Sequence, residues 1–260
     1  MGRLGQKRPH HFRCGAVVLI AALIAAMPAA ITRAQADGHA RGDRPAPSIE
    51  IFSGVGFTQN SVFGYGGAVW AFGASVDARG PRVKALTGIG AYEYSGALPG
   101  VAGSAGFDGD VALAQLLGGY QWRRGEWTLK AYAGVGFETH DLSPGDPDNS
   151  VNGGEFGAVG QIELWRNLGD AGWLSLDASY ADVFASYWTQ LRLGRRMRGR
   201  VSAGLETGLS GNEEYDSARA GGFLRYNLGG TELTLSGGVS GDYLAEDFGG
   251  YAAFGLYRKF

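Results

Sequence analysis

The sequence predicts an all-β protein, a transmembrane antiparallel up-and-down β-barrel of about 12 strands within residues 48–260. Three observations predict it: long segments that alternate apolar and polar side chains, connections that alternate between short and long, and a glycine content of 46 residues. That much glycine is hard to place in an ordinary globular core, because glycine inside a strand weakens it and packs nothing. In a barrel wall it eases curvature and close strand approach.

The alternation is clearest towards the carboxyl terminus. From Val201 to Leu209 the odd positions are Val201, Ala203, Leu205, Thr207 and Leu209, while Ser202, Gly204, Glu206 and Gly208 lie between them. Successive side chains of a strand point to opposite faces, so the pattern separates a lipid face from a lumen face. Leu224, Tyr226 and Leu228 then oppose Arg219, Arg225 and Asn227, and Leu233, Leu235 and Val239 oppose Glu232, Thr234 and Ser236. In the last segment Phe248, Ala252, Phe254, Leu256 and Phe260 share a face. A final aromatic residue suits an outer-membrane barrel; Arg258 stands where a further aromatic is usual.

Taken in order, the chain begins with a basic stretch (Arg3, Lys7, Arg8, Arg13), an apolar run from Gly15 to Ile31, and the small-residue signal Ala34-Gln35-Ala36. Residues 1–36 are therefore expected to be a secretory signal peptide, the apolar run being too short and too broken by Pro28 for a permanent anchor. Its removal takes five of the 23 basic side chains and none of the 25 acidic ones, leaving a mildly acidic chain that argues against a nucleic-acid partner. It also removes Cys14, the only cysteine, and with it disulfide, thiol and cysteine-metal chemistry. Residues 37–47, polar and carrying Pro45 and Pro47, read as a flexible periplasmic leader. Its Arg41-Gly42-Asp43 is a three-residue string of little specificity.

Candidate strands follow near 48–58, 63–76, 82–94, 107–122, 126–140, 153–166, 172–183, 186–197, 200–210, 216–228, 231–242 and 247–260. Every second connection should be a tight periplasmic turn: 77–81, 123–125, 167–171, 198–199 and 228–230, each with a glycine to supply positive φ. The other connections include the longest, 95–106 and 141–152, as outer loops require. Trp122, Trp127, Trp165 and Trp173 flank the turns, and Tyr94, Tyr187, Tyr215 and Phe248 flank the loops, which suggests two interfacial girdles. A soluble β-sandwich also has many alternating strands, but its strands are usually shorter.

The expected lumen face collects Lys130, Glu138, Glu155, Glu163, Asp177, Arg192, Glu206, Arg219, Arg225 and Glu232. Such ions would pair across a largely filled interior or line a thin hydrated path, and strand number alone does not choose. Catalysis by a barrel of this kind would rest on His140, since His39 lies in the leader. His140 and Ser143, separated by an odd number, would point oppositely on one strand and make no catalytic pair. Asp146, Asp148 and Asn149 lack the ligand ladder of a calcium loop, and no cofactor is expected.

Several strings resemble the cellulose biosynthesis protein BcsS family: Tyr65-Gly66-Gly67-Ala68, Ala91-Tyr92-Glu93-Tyr94 and Gly119-Tyr120-Gln121-Trp122. The resemblance is sharpest from Tyr132-Ala133-Gly134-Val135-Gly136-Phe137 through His140-Asp141-Leu142-Ser143-Pro144 to Val151-Asn152-Gly153-Gly154-Glu155-Phe156-Gly157-Ala158. It implies an outer-membrane protein that accompanies bacterial cellulose synthesis and secretion, and it brings no catalytic residues. The resulting expectation is a non-catalytic accessory barrel in outer-membrane lipid, with cellulose or another component of the secretion machinery as its partner. Tyr94, His140, Asp141, Asp146 and Asp148 are its candidate glycan or partner contacts. The alternative is a small-solute porin or structural barrel, and a lipid-acting enzyme is the third class.

Overall fold

The computed structural model describes residues 47–260 except 74, 101 and 243–246, so the signal peptide and nearly all of the leader lie outside the described residues. Twelve antiparallel strands form one closed barrel. They are β1 (Ile49–Phe57), β2 (Ser61–Ala71), β3 (Gly80–Ala97), β4 (Ser104–Arg124), β5 (Trp127–Ser143), β6 (Gly153–Leu168), β7 (Gly172–Ala181), β8 (Tyr187–Arg196), β9 (Val201–Gly211), β10 (Asp216–Asn227), β11 (Thr231–Asp242) and β12 (Asp247–Lys259). Each strand pairs with its sequence neighbours, and β1 closes on β12 with Glu50 opposite Lys259 and Phe57 opposite Ala252. The seam runs to the chain end: Ser48 and Ile49 N–H groups both donate to the Phe260 carbonyl, and Phe260 N–H donates back to Ile49. No strand edge is left unpaired, as a membrane interior demands.

The alternation sorts side chains as the sequence predicts. Leu205, Leu209, Leu224, Leu235 and Val239 are exposed on the outside of the barrel, while Glu206, Phe223 and Ser236 on the same three strands are buried inside it. Phe137 and Phe156 face each other across β5 and β6 with ring centroids 4.5 Å apart, and Phe156 is 82% exposed. An apolar side chain bared to that degree is explained by a hydrocarbon surround. Arg258 lies on this face too, its guanidinium 4.6 Å from the Phe260 ring centroid.

The five predicted turns sit at the end of the barrel where the described residues begin and end, at Pro47 and Phe260. Gly125 (φ 56°) makes the two-residue connection between β4 and β5, and Gly199 (φ 79°) turns β8 into β9. The second strand is shorter than predicted, ending at Ala71 rather than near residue 76. Arg82, an inward residue of β3, donates to the carbonyls of Ser75, Val76 and Ala78, and Gln121 of β4 donates to Val76 and Ala78. These bonds draw the turn against the inside of the rim and bury Val76.

At the opposite end the wall is uneven. Strands β3 to β6 run to 18, 21, 17 and 16 residues, whereas β8 to β12 have only 10 to 13. The extra length carries Glu93 opposite Asp108 and Asp110 opposite Asp141 on the outer face. Like charges placed directly across a sheet repel, so this part of the wall belongs in water beyond the lipid band.

Candidate functional site

The interior is occupied by side chains projecting from the walls, in two polar groups and one apolar group. The first polar group begins with Glu50, alone in charge between Ile49 and Ile51, and Lys84, alone between Val83 and Ala85. Lys130 donates to Glu50 at 2.7 Å and lies 3.3 Å from Glu163, which also accepts from Lys84 at 2.6 Å. Tyr257 closes the group by donating to Glu50 at 2.8 Å. Four charges from β1, β3, β5 and β6 thus alternate in sign and cancel, the arrangement that makes burial of ions tolerable.

The second group gathers the other half of the barrel. Glu206 accepts from Arg192 at 2.8 Å, Tyr251 at 2.8 Å and Ser236 at 3.1 Å. Arg225 pairs with Glu232 at 3.3 Å, and its guanidinium lies 4.6 Å from the Trp173 ring centroid. Trp173 stacks on Trp165 at 4.5 Å and is only 1% exposed. This corrects the girdle expectation for these two tryptophans: odd-numbered residues of β6 and β7 point inward, and nearness to a turn does not decide the face. Trp122 and Trp127 do lie exposed on the outside.

The apolar group fills one side of the interior near the longer connections. Val151 from the β5–β6 connection and Val183 and Phe184 from the β7–β8 connection pack with Leu117, Tyr132, Val159 and Ala181. Phe184 and Ala185 hold φ of 49° and 48°, a conformation that costs a non-glycine residue about 1 kcal/mol or more. Burial of the Phe184 ring against His140, at 5.3 Å edge to face, offsets that cost.

The candidate contact residues are divided by the structure. His140 is 6% exposed and sits within β5 rather than at its end, because β4 continues to pair with β5 as far as Asp108 and Ser143. Its Nε2 is 2.9 Å from Glu138 and its Nδ1 is 2.9 Å from the Tyr92 hydroxyl, so an Nε2–H tautomer donates to the carboxylate and accepts from the phenol. Ser186 also donates to Glu138. Tyr94 points inward, correcting its assignment to an outer girdle; it stacks on Phe107 at 5.0 Å, donates to Asp146 at 2.8 Å and accepts from Asn149. Asp141 faces outward, Asp148 is exposed in the connection, and Glu155 is exposed at the rim. Tyr94 and Asp146 are therefore brought together, with His140 deeper and Asp141 and Asp148 apart.

Asp146 is occupied within its own connection, its other oxygen accepting from Asp148 N–H, and no group of metal-binding side chains occurs among the described residues. His140 and Ser143 lie on opposite faces of β5. Reading the sequence missed Glu50, Lys84, Tyr65, Trp188, Tyr251 and Tyr257 as interior residues. A single charge inside an apolar strand was the available signal for the first two.

A closed wall with an apolar outer face and an ion-paired interior defines a transmembrane β-barrel of the outer-membrane type. Solved barrels share this fold: a TodX mutant, a monoaromatic hydrocarbon channel, aligns at TM-score 0.53 and 8% identity over 84% of this chain and 91% of its own. The β-domain of the Bordetella autotransporter BrkA aligns at TM-score 0.49 and 16% identity, over 83% and 100% of the two chains. An outer-membrane channel from Pseudomonas putida F1 does so at 0.48 and 12%, over 87% and 100%. No curated protein is matched. Residues 51–260 match the cellulose biosynthesis protein BcsS family, and the chain belongs to that family.

Proposed function

We propose that this protein is an exported outer-membrane barrel acting as a non-catalytic accessory in cellulose secretion, meeting glucan or a partner of the secretion machinery at its longer rim. In this orientation the five connections from β2–β3 to β10–β11 are periplasmic, four of them tight, and the tall wall of β3 to β6 stands outside the cell. Family membership supports the link to cellulose. The observation that carries the accessory role is the interior: the Glu50, Lys130, Glu163 and Lys84 group, together with the Val151 and Phe184 plug, opposes threading of a polymer. Contact at the rim is the remaining way to act on it. A non-catalytic role is supported by His140, whose two ring nitrogens are engaged by Tyr92 and Glu138.

The test is cellulase-digestible surface glucan in a chromosomal deletion, with and without the gene restored. Loss that is restored supports the reading; unchanged glucan, with the other secretion components intact, overturns it. A small-solute porin is the second reading, favoured by two inward side chains that stay exposed, Tyr65 of β2 and Trp188 of β8. It requires single-channel conductance in planar bilayers from the wild-type protein.

A further inference from the structure

One region of the interior stays accessible to solvent at its inward aromatic side chains, Trp188 and Tyr65. Just inside the longer rim, the walls of β9, β10, β11 and β1 present Ser210, Ser217, Ser240 and Gly56 to the lumen by their alternation with Glu206, Arg219, Ser236 and Glu50. Around this space stand larger groups with unused capacity. Trp188 alternates with the inward Gln190 and Arg192 and is still 38% exposed. Tyr65 lies across Gly54 inside the barrel, where a Cβ would come within 2.7 Å of its ring, and it is 39% exposed. Its hydroxyl has no hydrogen-bond partner among the described residues.

Arg219 completes the setting. Its guanidinium lies 5.9 Å from the Trp188 ring centroid and 5.8 Å from that of Tyr251, and it makes no ion pair among the described residues. Asp177, inward on β7 between Glu163 of β6 and Gln190 of β8, likewise makes no ion pair or side-chain hydrogen bond among the described residues, whereas Glu206 is fully engaged. The Tyr65 phenol lies within electrostatic reach of Arg192, Arg219, Asp177 and Glu206 together.

The chemistry of a ligand follows from these groups. Two cations and two carboxylates cancel, so a charged ligand would give up hydration without gaining a net attractive field. An exposed indole face suits a flat apolar surface, and a free guanidinium and carboxylate suit hydroxyl groups that accept and donate. A pyranose ring supplies both, with C–H faces to stack and hydroxyls at its edge. We propose that Trp188, Arg219, Tyr65, Tyr251 and Asp177 form a binding site for a short neutral saccharide just inside the outer mouth, with the Trp188 indole as its stacking platform. The site takes a chain end or released fragment, and it rests on the proposed glucan function for its natural ligand.

Titration calorimetry of the detergent-solubilised full-length barrel with cellotetraose, and separately with the anionic trigalacturonate, tests this. Saturable cellotetraose binding is expected, weakened at least tenfold in Trp188→Ala and in Arg219→Gln, with trigalacturonate bound less tightly. Heat-modifiable gel migration identifies any variant that fails to fold, and the second substitution then carries the test. Absent cellotetraose binding by the wild type, binding unchanged in both folded variants, or tighter binding of trigalacturonate overturns the site. The surface-glucan assay separates the two readings. Binding lost in a folded variant whose strain keeps normal glucan upholds the site, and a glucan defect in the deletion strain without any saccharide binding overturns the site and leaves the accessory role standing.

Discussion

The wall from β3 to β6 and the wall from β8 to β12 obey the same alternation, yet they are finished differently. The first is tall, carries an outer face that turns acidic above the lipid band, and sends Lys84, Leu117, Lys130, Tyr132 and Glu163 into the interior. The second is short, and its inner face near the longer rim is largely serine and glycine. Strand pairing fixes the barrel in both; what differs is how much of the interior each wall fills. One half therefore supplies rigidity and a plug, and the other leaves space where a ligand can meet side chains.

The largest test of that contrast is the ion group of the filled half. Lys130→Met leaves Glu50 and Glu163 facing each other without the cation between them, and a cost of about 3–5 kcal/mol is expected for breaking a buried pair in this way. Urea unfolding in micelles measures it, and adding Glu50→Gln should recover part of the loss by removing the stranded carboxylate while Lys84 and Glu163 keep their own pair. Trp173→Ala follows, at about 3 kcal/mol for a fully buried ring, against under about 1 kcal/mol for Trp127→Ala on the lipid-facing side. Equal losses for the two tryptophans would return Trp173 to the girdle.

The sequence showed the barrel well because alternation is a local property that needs no partner. From residue 200 to 228 it separated Leu205 and Leu224 from Glu206, Arg219 and Arg225, as the register of β9 with β10 requires. It failed where two different causes give one pattern. Trp165 and Trp127 are both near turns, but depth along a strand is the same for either face, and only parity against a defined neighbour separates them. The pairing of Lys130 with Glu50, 80 residues apart, has no local trace at all. The sequence ends this strand at His140 because Asp141 and Pro144 follow it, whereas pairing with β4 continues it to Ser143.

A third test addresses the plug. Phe184→Gly removes a buried ring from the mouth and also relieves its left-handed backbone, so the net cost should be about 2 kcal/mol, below that of an unstrained buried phenylalanine. Mean conductance in planar bilayers should rise, because Val183 and Val151 lose the ring they pack against. Conductance equal to wild type would show that the closure lies with the ion groups instead.

The smallest effect is expected on the other wall, and it decides whether the contrast is real. Arg219→Gln removes a cation that has two aromatic neighbours and no ion pair among the described residues, so chiefly the cation–π contribution of about 0.5–1 kcal/mol is lost. No contact ion pair is broken, whereas Lys130→Met breaks two. Both substitutions delete one inward positive charge at similar cost in side-chain volume, and they are read by the same unfolding measurement. A loss at Arg219 matching that at Lys130 would mean that both walls are braced alike and that the space beside Trp188 is held shut by its own contacts. A small loss means that Arg219 is retained in the lumen at little benefit to stability, which is the expected behaviour of a side chain kept for a ligand.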